Sequence, residues 1–147
     1  MSQSLTPHIV VKDAASMATW YQQALGAVEI QRVTVPDGRV MSLELRIGEA
    51  TVMVADEFPE MGVVSPKTLG GTYGALVLAS DNIDRDWQRA LDAGAEVFHP
   101  LQDTFWGDRF GQVLDPSGHR WGFSQHVRDV PHEEVQRAAT AAFSAGT

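Results

Sequence analysis

The sequence predicts an α+β fold of two tandem βαβββ modules, with helices outside a mixed sheet and a further helix at the C-terminus. Three observations predict it. A block of cap, helix, glycine and strand, Asp13…Leu25-Gly26-Ala27-Val28-Glu29, recurs as Asn82…Ala93-Gly94-Ala95-Glu96-Val97, an offset of about 68 or 69 residues. Strand-like segments follow each block in the same order. Between the two halves, Asp56 to Thr72 contains Pro59, Gly62, Pro66, Gly70 and Gly71 and reads as a linker or mobile loop. One domain, 1–147, therefore divides into module one (about 5–56), linker (about 57–72), module two (about 73–127) and a tail helix (about 131–143).

Ile9, Val10 and Val11 are β-branched and make Leu5 to Val11 a strand, with Pro7 suiting an edge. Asp13 caps a helix to Leu25 whose apolar stripe is Ala14, Met17, Ala18, Tyr21 and Leu25, and Gly26 ends it. Trp20, beside Tyr21, is a candidate subunit contact. Val28 to Val35 is a strand, Pro36-Asp37-Gly38-Arg39 a turn, and Val40 to Ile47 returns with Met41, Leu43, Leu45 and Ile47 alternating. Ala50 to Ala55 closes module one.

In module two, Tyr73 to Ala79 is a strand and Asp81-Asn82 caps a helix that buries Ile83, Trp87, Ala90 and Leu91. Ala95 to His99 is the next strand, followed by an Arg109–Leu114 and His119–Gln125 hairpin. Pro131 opens the tail helix, with Glu133 and Glu134 against its positive end. Its apolar stripe, Val135, Ala138, Ala139, Ala142 and Phe143, is expected to pack on the sheet or on a partner subunit.

Composition bounds the function. With 44% hydrophobic and 20% charged residues, the chain buries about two thirds of its unfolded surface and needs no staple to fold. The absence of cysteine removes thiol catalysis, thiolate metal sites and disulfides, and accords with a reducing compartment. A net charge of −8 disfavours nucleic acid and anionic membrane surfaces as partners. There is no apolar run of membrane-spanning length, and Met1-Ser2-Gln3-Ser4-Leu5 lacks the features of a secretory signal, so the expected location is the cytoplasm. No Gly-x-Ser-x-Gly motif or phosphate-binding loop is present.

The densest local signal is Trp106-Gly107-Asp108-Arg109-Phe110-Gly111 followed by Asp115-Pro116-Ser117-Gly118-His119-Arg120-Trp121. Asp-Pro-Ser-Gly suits a tight turn between two strands, and the aromatic and guanidinium groups beside glycines suit a pocket wall. Trp121 and Phe123 alternate with Gly122 and are expected in the core, as is Trp87.

Together, Asp13…Trp20-Tyr21…Leu25-Gly26, the duplication and the Asp115–Trp121 hairpin resemble the vicinal oxygen chelate superfamily (glyoxalases, bleomycin-resistance proteins and extradiol dioxygenases). Leu5 to Val11, Phe105 to Gly111 and Asp129-Val130-Pro131 resemble its PhnB-like, glyoxalase-like branch. The resemblance implies a curved sheet closing a cup for a small-molecule ligand, and a homodimer. In the metal enzymes of that family, His and Glu ligands point into the cup. Those positions fall here on Thr6, near Val54, on Ala75 and on Gly122, none with a suitable donor; His8, Asp56 and His126 lie near them.

The expected function is therefore metal-independent binding of a small organic ligand, by sequestration or metal-free catalysis, with no cofactor. The alternative is a metal-dependent lyase or dioxygenase of the same superfamily. Trp106 and Arg109 are the expected ligand clamp, by stacking and a forked hydrogen bond. His8, His126 and Asp56 are the other candidate ligand-binding residues, with the Asp56–Thr72 segment as a lid.

Overall fold

The computed structural model describes residues 2–144. Module one comprises β1 (His8–Val11), α1 (Ala14–Leu25), β2 (Val28–Thr34), β3 (Val40–Ile47) and β4 (Ala50–Asp56). A 3-10 turn (Pro59–Met61) and the short α2 (Pro66–Leu69) lead to module two: β5 (Ala75–Ala79), α3 (Ile83–Asp92), β6 (Glu96–Asp103), β7 (Asp108–Leu114) and β8 (Arg120–His126). The chain continues into α4 (His132–Ser144). Two four-stranded mixed sheets result, ordered β1-β4-β3-β2 and β5-β8-β7-β6. In each, the first strand lies parallel to the last and the other pairs are antiparallel.

The helix caps form as the sequence dictates. The Asp13 and Asn82 side chains accept hydrogen bonds from the backbone N–H groups of Ser16 and Arg85. Gly26 ends α1 with φ of 68°, a left-handed turn that its missing Cβ permits.

Both modules share one core on the helix side of the sheets. Met17, Ala18, Tyr21 and Leu25 of α1 join Leu43, Leu45, Val54, Trp87, Trp121 and Phe123. Tyr21 tilts against Trp121 at 5.5 Å between ring centroids, and Trp87 meets Phe123 edge-on at 5.9 Å. One buried carboxylate ties the halves together. Asp115 accepts from the Tyr21 hydroxyl at 2.5 Å and the Trp121 indole N–H at 2.9 Å, and also from the backbone N–H of Ser117 and His119. Trp20 donates its indole N–H to the Ala93 carbonyl at 2.7 Å, so it joins α1 to the end of α3 within one chain.

Several element limits differ from the periodicity. β1 starts at His8, after Pro7, whose carbonyl accepts from the Met53 N–H. Pairing along β2 and β3 steps from Val33↔Ser42 to Thr34↔Val40, so Met41 leaves the alternation and is exposed. β6 runs on through Pro100 to Asp103 by register shifts, which an edge strand accommodates. The linker folds rather than hanging free: Lys67 N–H donates to the Ser117 carbonyl, and the Glu57 carboxylate accepts from Ser65 N–H and the Thr68 hydroxyl. α4 buries no residue, and Phe143 is 79% exposed. No helix among the described residues is long and apolar enough to cross a membrane.

Candidate functional site

Strand alternation and cross-strand pairing define the face turned away from the helices. Trp121 and Phe123 point into the core, so Arg120, Gly122, Ser124 and His126 of β8 point the other way. Their partners share that face: Ala75 and Val77 on β5, and Asp108, Phe110, Gln112 and Leu114 on β7. In module one the corresponding face carries His8 and Val10 of β1, Met53 of β4 and Glu44 of β3.

A cavity of about 690 Å³ opens where β1 and β5 approach one another. His8 and Val10 line one side, Ala75, His119 and Arg120 the other, and the segment from Leu69 to Gly74 runs along it. The size suits a small organic molecule. The linker is seated there by local chemistry: Pro66 is buried and packs at Gly118, while the Ser65 hydroxyl accepts from Thr68 N–H to start α2. Hydrogen bonds from the Thr68 hydroxyl and then Ser65 hold the Glu57 carboxyl below the usual carboxylate range.

The titratable and charged groups of the lining are His8, Tyr73, His119 and Arg120, and no carboxylate is among them. His119 Nε2 lies 2.8 Å from the Val10 carbonyl oxygen, which can only accept, so Nε2 carries the proton. Nδ1 is then the free edge of that imidazole. The Arg120 guanidinium sits over the Phe98 ring, 4.8 Å from its centroid, and its Nε is buried with no hydrogen-bond partner.

The residues expected from sequence distribute over different places. His8 is exposed on the open face and lines the cavity. Trp106 lies in the turn before β7, edge-on to Phe105 and to Phe110, and so extends the open face at the strand ends. His126 is exposed at the end of β8, bracketed by Asp129 at 2.7 Å and Asp108 at 3.4 Å; these carboxylates, Asp129 foremost, raise its pKa above the ordinary 6.5.

Arg109 and Asp56 occupy the helix face instead. Arg109 pairs with Gln125 in the ladder, sharing a face with Gly111 and Phe123, and its guanidinium binds Asp84 of α3 and Asp103 of β6. Those two carboxylates, Asp103 first, raise its pKa. Asp56 shares the face of the buried Val54; its carboxylate accepts from Ala14 N–H at 2.7 Å and Val40 N–H at 2.6 Å. The structure thus brings His8 to the cavity, Trp106 and His126 to the rim of the face, and Arg109 and Asp56 to neither.

Among the lining residues, His119 and Arg120 carry polar chemistry that the sequence placed in a pocket wall without assigning either a contact to the ligand. A signal existed for Arg120: it stands two residues before Gly122, which alternation already placed opposite the core. Phe98 carried none, because a register shift between Val97 and His99 interrupts the alternation there.

The donor set does not fit a divalent metal. Val54 is wholly buried on the helix side, and the open-face residue beside it is Met53. Ala75 and Gly122 have no donor side chain, and a Cβ at Gly122 would already meet Val77 Cγ2 at 3.1 Å and Phe110 Cζ at 3.5 Å. The atoms nearest to that position are hydrocarbon, not ligating groups. Among the described residues, no group of three or more His, Asp or Glu side chains is arranged to hold a metal ion.

Comparison with known proteins adds sequence and fold relationships. The model of the Glyoxalase/Bleomycin resistance protein/Dioxygenase superfamily matches residues 4–123. The uncharacterized protein Rv0887c of Mycobacterium tuberculosis (strain ATCC 25618 / H37Rv) is 45% identical over 141 residues, covering 94% of this chain and 83% of that protein. Among solved structures, TioX from Micromonospora sp. ML1 superposes with a TM-score of 0.66 at 25% identity, covering 86% of this chain and 100% of TioX. The fosfomycin resistance protein FosX from Listeria monocytogenes, complexed with Mn(II) and sulfate, gives a TM-score of 0.66 at 17% identity, covering 94% and 98% of the two chains.

Proposed function

This chain belongs to the Glyoxalase/Bleomycin resistance protein/Dioxygenase superfamily, and we propose that within it the chain binds a small organic ligand between β1 and β5 without a metal ion. The observation that carries the proposal is the open face around Gly122. Where metal chemistry needs converging imidazole or carboxylate donors, the neighbours of Gly122 on this face are Ala75, Val77, Phe110 and the amide of Gln112. An apolar surface beside a cavity with a few polar groups is the usual make-up of an organic ligand site.

In this reading His8 and His119 supply polar contacts, Arg120 supplies charge, and the Leu69–Gly74 segment covers the ligand. Trp106 and His126 lie along the rim and would contact only the far end of a longer ligand. Arg109 and Asp56 hold module architecture through Asp84, Asp103, Ala14 and Val40. For moving a proton the lining offers imidazole, with His8 or the free Nδ1 of His119 as acceptor.

The test is elemental analysis of protein purified without chelators, beside a thermal-shift screen of small metabolites. The proposal expects no stoichiometric Ni, Zn, Fe or Mn, and at least one compound that raises Tm in the presence of EDTA. A stoichiometric metal whose removal abolishes ligand binding would overturn it in favour of a metal-dependent lyase or dioxygenase.

A further inference from the structure

We propose that the ligand of this cavity is a flat organic oxyanion, with its acid group held by Arg120 and its hydrocarbon body lying along the open face. This rests on the ligand-binding reading above and names the chemical class that the site takes.

Arg120 stands apart from the other arginines. Arg32, Arg39, Arg85, Arg89 and Arg109 each meet at least one carboxylate within ion-pair distance. Arg46, Arg128 and Arg137 have no ion pair among the described residues, but they are exposed and water serves them. Arg120 is half-buried and, among the described residues, its side chain has neither an ion pair nor a hydrogen bond, with Nε buried. A buried N–H without a partner is costly and calls for an explanation.

The surroundings favour an anion as that partner. The chain carries nineteen Asp and Glu against eleven Lys and Arg, yet the cavity lining contains Arg120 and two histidines and no carboxylate. Nothing in the lining competes with an incoming acid for the guanidinium. Arginine presents paired N–H donors in a planar fork that matches an oxyanion, and charge-assisted bonds of this kind are the stronger class.

The flat body follows from the neighbouring surface. Phe98 already stacks with the guanidinium, and Val77 and Phe110 cover Gly122 farther along the same face. A ligand acid that draws the guanidinium from the Phe98 ring towards the cavity would reach the orphaned Nε. His8, on the opposite side, can add a second polar contact.

The experiment uses the full chain and three probes of one shape: 1-naphthoate, 1-naphthylphosphonate and the neutral 1-naphthamide. Calorimetric titration at low salt is expected to show one or both acids binding about tenfold or more tightly than the amide. Preference between the acids distinguishes a carboxylate from a phosphonate ligand. Arg120→Met, which keeps the apolar stem, should bring acid and amide to within about twofold of one another, and Arg120→Lys should restore part of the preference.

Equal binding of acid and amide by the native protein would overturn the oxyanion assignment and leave the ligand-binding reading standing. Binding of none of the three up to their solubility limits would count against both. Should Arg120→Met fail to fold, the comparison of acid with amide on the native chain still decides.

Discussion

Asp56 and Gln125 do the same work in the two halves of the molecule. Asp56 is the last residue of β4 and Gln125 the last but one of β8, and each accepts the backbone N–H that opens its module's helix, from Ala14 at 2.7 Å and from Ile83 at 2.8 Å. Both pairs are separated by 42 residues in sequence. The second half thus repeats the strand-to-helix strut of the first, with an amide in place of a carboxylate. The repeat is not complete: Asp56 has a second task, accepting from Val40 N–H at the start of β3.

Asp56→Ala removes one acceptor group from two N–H donors, so it should destabilise more than Gln125→Ala. Bonds to charged groups are worth about 1.5–3 kcal/mol each, against about 0.5–1.5 kcal/mol for neutral ones. Denaturant midpoints at neutral pH check the order. Equal losses would mean that the Val40 bond contributes nothing measurable.

The phenol of Tyr21 is buried against Asp115, and burial followed by the nearby carboxylate raises its pKa well above 10.0. A raised pKa favours the protonated form in the folded state. The advantage of the native protein over Tyr21→Phe is therefore fully present below pH 10 and declines as pH rises through 10 towards the folded value. At neutral pH, Tyr21→Phe should cost about 1–3 kcal/mol by leaving part of Asp115 unsatisfied. Urea titrations from neutral to strongly alkaline pH measure both; a difference that grows above pH 10 would contradict the assignment.

Gly111 and Gly122 sit on opposite faces, and alanine at each should report that difference. At Gly111 a Cβ would lie 2.8 Å from Trp87 Cζ3 and 2.9 Å from the backbone of Leu101, with core on one side and main chain on the other. Overpacking of this kind costs about 1–3 kcal/mol. At Gly122 the nearest atom is Val77 Cγ2, on a side chain that is 54% exposed and free to turn. Gly122→Ala should therefore cost under about 1 kcal/mol. Thermal unfolding of the two variants checks the contrast.

His126 should titrate above 6.5 in the native protein, with Asp129 the larger cause and Asp108 the smaller. Its contribution to stability is complete below pH 6.5 and is lost as pH rises through the raised value. Imidazole NMR shifts across this range should show Asp129→Asn lowering the His126 midpoint more than Asp108→Asn does. An unchanged midpoint in Asp129→Asn would show that the 2.7 Å contact is not held in solution.

Much of the fold is legible in the chain because its signals are local. The α1 stripe, the Asp13 and Asn82 caps and the left-handed Gly26 depend on neighbours within a turn or two. The core placement of Trp87, Trp121 and Phe123 follows from period alone. Facing is less legible, because it depends on pairing across strands. One skipped residue exposes Met41 although its neighbours in the pattern are buried.

By itself, then, the sequence determined the two βαβββ modules, their duplication, their caps and the residues of the shared core, since each rests on short-range periodicity and turn chemistry. Only the tertiary structure decided what each arginine of the hairpin meets. Arg109 and Arg120 are close in the same hairpin, yet pairing with Gln125 sends the first to the carboxylates of α3 and β6, while pairing with Ala75 and Leu114 sends the second to the cavity. The physical reason is that cross-strand register, formed only when distant segments meet, sets the direction of every side chain in the ladder.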